Sequence, residues 1–430
     1  MKNMKRKKNV PYAKPELFRE LFAKLWHDLF TTHIHLDSAV SKAPPSMKAP
    51  LAEVTRLFLQ RPRSLAKFLQ FRLSDREPWK LSQEELAEWD TGCEMAYRLF
   101  QTWRRDPYFY EEGFALPDDY PAWLLEEIRR DFGAKISDEL VRSLAKPPPL
   151  SLRAKRNPGR NKVLSDLNDS EELPIRGKAS LHAPFGFYFP EYVQVRNHDL
   201  GRKGFYEIQD EGSQIMSLFA LWPETFLPLL RKFPGEARPW GKDHEVPTQK
   251  KPIVVVDVCA GAGGKTLAMA DALGGRSQIF AYDCSASKLQ ALRLRARRLG
   301  YNNIKTKTVE EDPTQLDLTS FAKKADVVLI DSPCSGWGVL RRNPDIKWRQ
   351  DKESRARLEI LQAKLLDTYS ALVKPGGQLV YGVCTFRKKE TSLQISHFLE
   401  QHKEFTSIGG GYYGPNPSDG FYFHAMRRTL

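Results

Sequence analysis

Cys334 and Cys384 are the residues of this chain best placed to do chemistry. Cys334 stands in IDSPCSGWG, just past the apolar run 326–330, and Cys384 stands in QLVYGVCTF, just past the run 379–383. A cysteine beyond the carboxyl end of a parallel strand faces the crevice where such sheets bind ligands. Two thiols fifty residues apart, with Asp331 beside the first, suit covalent chemistry on a bound substrate. The competing reading is inert packing, the usual state of a free cysteine.

A pair of thiols answers a particular chemical problem. Carbon 5 of cytosine is a poor nucleophile. A thiolate that adds at carbon 6 turns the ring into an enamine, and carbon 5 can then attack an electrophilic methyl group. A second group must take the proton from carbon 5 before the protein is eliminated. A free cysteine has a pKa of about 8.5, so the site must supply positive charge or a base. Lys265, Arg341, Arg342 and Lys347 are near in sequence, and Asp331 could hydrogen-bond or protonate the ring edge.

The elements that must hold these residues show as alternating runs. Apolar stretches at 253–258, 278–282, 326–330 and 378–383 alternate with helical patterns near 264–273, 286–299, 353–372 and 389–400. Continuous apolar strands between amphipathic helices predict an α/β fold, with a mostly parallel sheet covered on both faces.

The first strand runs into Cys259, Ala260, Gly261, Ala262, Gly263, Gly264, Lys265 and Thr266. Glycines there allow a tight strand-to-helix turn and close approach of backbone amides to a ligand. A phosphate-binding P-loop would need glycine where Cys259 stands, and a dinucleotide fingerprint would need it at Thr266. S-adenosylmethionine, a cationic cofactor without phosphates, fits better. Asp257, Asp283, Asp312 and Asp331 all stand at or beyond strand ends, where carboxylates can face such a cation. Asp283 lies about twenty residues beyond the glycines, the spacing of a ribose-binding acid. Asp312 suits an adenine amine, with Glu311 as the alternative.

The remainder divides into two further regions. Residues 1–145 read as mainly helical, with Leu17, Leu21, Leu25 and Leu29 four apart on one face and similar spacing at 51–71, 86–103 and 121–133. Lys146 to Pro149 breaks this pattern. Residues 146–204 then combine a basic run (Arg153, Lys155, Arg156, Arg160 and Lys162) with LHAPFGFYFPEYVQV. The bases suit contact with nucleic acid, while the rings read rather as the core of a hairpin. A helix is expected from Glu211 to Leu230, inside a catalytic region of 205–430.

The chain of 430 residues carries a net charge of +14, which favours a polyanionic partner. No apolar run approaches the roughly 20 residues of a membrane helix. Five cysteines without regular spacing argue against a disulfide framework and, lacking a zinc-type cluster, against a metal site. The expectations are no secretory signal, a reducing cytoplasm and a monomer. Cys93 and Cys284 read as structural, and Cys259 as a small packing residue of the loop.

The segments DVCAGAGGKT, AYDCSASKLQALRLRARRLG, DSPCSGWGVLRRNPDIKW, VYGVCTFRKKE and SDGFYFHAMRR resemble, in order and spacing, the motifs of Sun-type (Fmu) RNA cytosine-5 methyltransferases. YEIQDEGSQ and PAWLLEEIRRDFG with PPPLSLR match the region preceding that family's catalytic domain, so the resemblance spans roughly 120–430. It implies a Rossmann-like, seven-stranded methyltransferase fold. Cys384 would be the nucleophile that bonds to carbon 6, Cys334 would assist release of the methylated RNA, and Asp331 would contact the cytosine. Cys259, Ala260, Gly261, Gly263, Gly264, Lys265, Asp283, Asp312 and Asp331 would line the S-adenosylmethionine site. The implied substrate is ribosomal RNA, with transfer RNA as runner-up. Three positions depart from the common pattern: Ala260 to Gly264 replaces alanine-alanine-proline-glycine-glycine, Val383 stands for threonine and Thr385 for serine. A DNA cytosine-5 methyltransferase would use Cys334 as nucleophile instead. A non-catalytic assembly factor on the same scaffold would not need the cysteine pair.

Overall fold

In the computed structural model the helix Pro15–Thr31 turns a different face to its core than the leucine row predicts. Phe18, Phe22, Leu25, Trp26 and Leu29 are buried, whereas Leu17 is exposed and Leu21 only partly buried. Aromatic rings at 18, 22 and 26 bury more apolar area than the leucines at 17 and 21, so they set the helix rotation. Phe22 and Trp26 meet Phe58 of the helix Pro45–Gln60 edge-on, at centroid distances of 6.2 and 5.0 Å. The structure describes residues 15–31, 36–60, 96, 98–99, 119–146, 148–190, 193–236, 238–240, 245–315 and 321–429. The helical patterns expected at 61–71 and over most of 86–103, together with Cys93, lie outside the described residues.

The described helices of this region, including Ala122–Leu144, form one compact unit that also takes in Leu340–Gln350. Trp348 joins its core and donates from Nε1 to the Leu59 carbonyl at 2.7 Å. The buried Lys347 ammonium donates to the carbonyls of Gln60 (2.8 Å) and Asp119 (2.7 Å) and lies 4.2 Å from the Tyr120 ring centroid.

The second unit covers residues 148–339 and 351–430. It opens with a small antiparallel sheet of Leu150–Ala154 (β1), Lys178–Ala179 (β2), Gly186–Phe189 (β3) and Tyr206–Ile208 (β4), in the order β2-β3-β1-β4. Phe187 and Phe189 are buried with Leu152, Val163 and Tyr206, so those rings form the hairpin's core.

The large sheet contains Val254–Val258 (β5), Gln278–Asp283 (β6), Ile304–Thr308 (β7), Ala325–Asp331 (β8), Val373–Val383 (β9), Phe405–Tyr413 (β10) and Phe421–Arg428 (β11). Their order is β10-β11-β9-β8-β5-β6-β7, with β11 antiparallel to both neighbours and β5 to β9 parallel. This is the seven-stranded, Rossmann-like sheet that the resemblance implies. The chain runs outward from β5 to β7, then crosses to β8 on the other side of β5. That reversal opens a crevice beyond the carboxyl ends of β5 and β8. The antiparallel β10–β11 pair adds two strands that the apolar-run pattern does not reveal.

Helix ends follow local rules. Ser285 caps Ala286–Leu299 by accepting from Lys288 N, and Gly300 closes it with a left-handed φ of 77°. Asp351 and Ser354 form a capping box for Lys352–Ser370. The helix from Glu211 stops at Leu221 rather than Leu230, because Pro223 disfavours helical geometry at Trp222 (φ −138°, ψ 69°). Among the described residues, no helix is long and apolar enough to cross a membrane.

Candidate active site

The register of β8 on β9 brings the two thiols together. Asp331 sits opposite Gly382, and the ladder continues as Ser332 N donates to Gly382 O at 2.9 Å. Cys334 and Cys384 then lie a few residues past neighbouring strand ends, with Sγ atoms 3.3 Å apart. Both are half-buried and both are free thiols. The hydrogen bond with Cys384, then burial, pushes the Cys334 thiol well above the usual cysteine range, and the charges of Cys384 and Glu390 add to the effect.

Several contacts fix the two loops to each other. Gly338 N donates to Cys384 O at 3.0 Å, and Gly420 N donates to Gly338 O at 2.8 Å. A Cβ at Gly338 would fall 1.8 Å from the Gly420 oxygen, so this close approach requires glycine. The hydroxyls of Ser335 and Thr385 are buried and 2.9 Å apart. Threonine at 385 therefore retains a hydroxyl contact that serine could also make.

Lys265, from the first turn of the helix Gly264–Ala272, places Nζ 2.5 Å from Asp331 Oδ2 and 5.9 Å from the Phe421 ring centroid. Burial works against its charge, but Asp331 above all, and then Cys384, holds its pKa above the ordinary lysine value. The ammonium thus lies within electrostatic range of Cys384. Lys347 is committed to the helical unit, and the Arg341 and Arg342 carbonyls accept from Gln60 and Arg56 in that unit.

The glycine loop and its acids form the adjoining half of the crevice. Gly261 N donates to Asp283 Oδ2 at 2.7 Å, while Asp283 Oδ1 accepts from Ser285 N. Gly263 has φ 86°, and a Cβ there would fall 2.1 Å from Leu292 Cδ1, so glycine lets the loop close onto the helix Ala286–Leu299. Cys259 holds a left-handed φ of 60°, and burial followed by Asp331 and Asp283 pushes its thiol far up. That is the behaviour of a packed loop residue. Asp257 is fully buried and accepts from Thr266 Oγ1 at 2.5 Å, while its Oδ1 has no partner. Burial, then the charges of Asp331 and Asp283, outweighs that bond and pushes the Asp257 carboxyl up to about 7. Open space at Gly261 and a crevice lined by carboxylates fit a cationic ligand and would repel phosphates.

Asp312 is exposed beyond β7 and accepts from the Thr314 hydroxyl (2.8 Å) and backbone amide (3.1 Å) and from Lys364 (3.3 Å). The Thr314 bonds, with Lys364, hold its carboxyl below the usual range. Cys284 is exposed, between the end of β6 at Asp283 and the helix cap Ser285, and is not buried packing.

The basic run is largely engaged within the protein. Arg153 is buried and donates to Gln209 (2.9 Å) and Asp271 (3.1 Å). Lys155 donates to Leu299 O (2.9 Å), Arg156 to Ala272 O (2.7 Å), and Arg160 to Ser180 O (3.0 Å). Lys162 pairs with Asp166 at 2.6 Å on the surface.

Sequence reasoning missed Glu390 and Gln362. Glu390 is buried and accepts from Ser335 N (2.8 Å) and Gln362 Nε2 (3.0 Å), and Gln362 Nε2 also donates to Pro333 O (2.9 Å). A lone acid after FRKK looks like solvated surface, and only the fold shows which loop it meets.

Residues 247–417 match the model of a family described as 16S rRNA methyltransferase RsmB/F. The chain is similar to the probable ribosomal RNA small subunit methyltransferase B of Synechocystis, at 31% identity over 69% of this chain and 60% of that protein. It is 29% identical to ribosomal RNA small subunit methyltransferase B of Klebsiella pneumoniae, over 71% of this chain and 65% of that one. The chain thus spans about 60% of the length of the first of these relatives. Among solved structures, NSun6 from Pyrococcus horikoshii with SFG superposes with a TM-score of 0.58 at 16% identity, over 72% of this chain and 98% of that one. A methyltransferase homolog protein from the same organism superposes with a TM-score of 0.51 at 19% identity, over 72% and 99%. At those identities the structures share the fold.

Proposed function

We propose, on the match of residues 247–417 to the RsmB/F family of 16S rRNA methyltransferases, that the protein is an S-adenosylmethionine-dependent RNA (cytosine-5)-methyltransferase acting on ribosomal RNA. The observation that carries this reading is the pair of thiols, 3.3 Å apart beside Asp331. A crevice lined by Asp257, Asp283 and Asp331 suits the cationic cofactor, which when bound supplies an electrophilic methyl group. Gly261, Gly263, Gly264 and Lys265, with Cys259 and Ala260 in the same loop, would shape its site, and Asp312 would reach its base from beyond β7.

Cys384 attacks carbon 6 as the nucleophile, with the Lys265 ammonium within electrostatic range. Asp331 meets the cytosine edge and stabilises the ring as charge develops. Carbon 5 then takes the methyl group. For release, the proton on carbon 5 must leave, the carbon 5–carbon 6 double bond re-forms, and the Cys384 Sγ–carbon 6 bond breaks. Cys334 serves this step as the base or through it. Once Cys384 is bonded to carbon, its negative charge no longer holds the proton on Cys334, which can leave to water and free that sulfur to accept the next one. Extruding a base costs a few kcal/mol, least where RNA is single-stranded, so a loop or a partly assembled ribosomal particle is the expected target.

The test is tritium-methyl transfer from S-adenosylmethionine to RNA lacking this modification, fractionated by size, with nucleoside analysis. Label as 5-methylcytosine in ribosomal RNA is expected. Label on another atom or base would overturn the mechanism, and label confined to small RNA would move the substrate to transfer RNA.

A further inference from the structure

Two thiols in contact pose a question of assignment: which one donates the hydrogen bond between them. The groups facing them are unevenly distributed. The Lys265 ammonium acts on Cys384, and Asp331 pairs with that lysine. On the other side, Glu390 acts on Cys334, and burial, then Glu390 and Cys334, raises the pKa of the neighbouring Tyr381 hydroxyl well up. Arg387 Nη1 lies 3.5 Å from Glu390 Oε1, but it is held more closely, at 2.5 Å, by Glu359. Glu390 is fully buried, so its field is little screened by water.

Glu390 also acts as a mechanical support. Its Oε2 accepts from Ser335 N, the residue next to Cys334, and from Gln362 Nε2, which reaches Pro333 O on the other side. The loop carrying Cys334 is thus gripped at both neighbours of the cysteine. Glu390 itself follows Cys384 in the same connection out of β9, where Tyr381 OH donates to its carbonyl at 2.8 Å. One side chain therefore ties the two cysteine-bearing loops together.

We propose that Glu390 is a positioning residue of the two-thiol site: it fixes the Cys334 loop against Cys384 and keeps the proton on Cys334. Cys334 then donates its hydrogen bond to Cys384, which serves as the nucleophile. This extends the cytosine-5 reading and rests on it for its catalytic consequence.

The test compares wild type, Glu390→Gln, Glu390→Asp and Gln362→Leu by iodoacetamide alkylation of the whole protein without RNA or cofactor. Initial rates at the Cys334 and Cys384 peptides are followed from pH 6 to pH 10. In wild type, Cys384 reacts first and Cys334 resists. Glu390→Gln keeps the shape and removes the charge, and should raise the Cys334 rate at pH 8 by about tenfold, the effect of roughly one pH unit. Glu390→Asp, which keeps the charge, should restore the wild-type order. Gln362→Leu should leave that order intact and lower kcat for methylation without raising the KM for RNA. Identical Cys334 and Cys384 rates in wild type and Glu390→Gln would overturn the proposal. Should Glu390→Gln fail to fold, an unchanged kcat in Gln362→Leu would overturn the positioning role. Alkylation needs no substrate, so its failure would leave the cytosine-5 reading standing. Conversely, methylation surviving in Cys384→Ala would sink that reading without touching the alkylation result.

Discussion

The thiol crevice and the basic run 153–162 are both rich in reactive or charged side chains, yet the fold uses them in opposite ways. At the crevice, the parallel register delivers Asp331, Cys334 and Cys384 to strand ends, where their functional atoms stay within reach of a ligand. In the basic run, Arg153, Lys155, Arg156 and Arg160 bind carboxylate, amide and carbonyl oxygens that would otherwise be left unpaired, mostly where β1 meets the helices Gly264–Ala272 and Ala286–Leu299. A count of charges reports a partner only after the internal partners have been subtracted. Strand-end position depends on local pattern and survives that subtraction.

The comparison can be broken at either region. Arg153→Met should have the largest effect on stability, about 3–5 kcal/mol, because it removes the buried counter-ion of Asp271, leaving that carboxylate only the Arg156 amide and the Tyr301 hydroxyl. Denaturant unfolding measures it. A loss of RNA affinity with stability unchanged would mean that the basic run faces RNA after all. Asp331→Asn should weigh the other way, lowering kcat by about 10²–10³-fold with a smaller loss of stability than Arg153→Met, because its ion pair with Lys265 is partly exposed. Loss of stability without a specific loss of turnover would make Asp331 a structural ion-pair partner.

Smaller effects sharpen the contrast. The Asp257 carboxyl lies near pH 7 when folded, against 3.8 as its ordinary value. The folded state therefore binds its proton more tightly, and stability falls as pH rises from about 4 to 7 before levelling. Asp257→Asn should flatten that slope and raise the melting temperature at pH 8 more than at pH 5. An unchanged slope would mean that Asp257 ionises normally. Smallest of all, Lys162→Gln should leave RNA affinity and its salt dependence unchanged, since Lys162 already pairs with Asp166 on the surface. A fall in the salt slope by about one would place that lysine on a phosphate.

Much of this was legible in the residues themselves. The apolar runs located β5, β6, β8 and β9, because strands buried on both faces carry no polar alternation to confuse them. The helical pattern near 286–299 matches Ala286–Leu299, whose ends the structure shows capped by Ser285 and Gly300. Other features depended on three-dimensional neighbours. The first helix buries Phe18, Phe22 and Trp26, a choice that Phe58 helps to make. The fate of Arg153 depends on Asp271, and that of Lys347 on carbonyls at 60 and 119. Glu390 carries no local signal, because its importance lies in Ser335 and Gln362.

The division of labour between the two sulfurs is tested most directly by trapping the protein–RNA adduct. Wild type, Cys384→Ala and Cys334→Ala are incubated with S-adenosylmethionine and ribosomal RNA, then resolved under denaturing conditions. Cys384→Ala should form no adduct and transfer no methyl group, whereas Cys334→Ala should accumulate a methylated adduct that fails to resolve. An adduct that persists in Cys384→Ala and disappears in Cys334→Ala would reverse the two roles and contradict the mechanism proposed here.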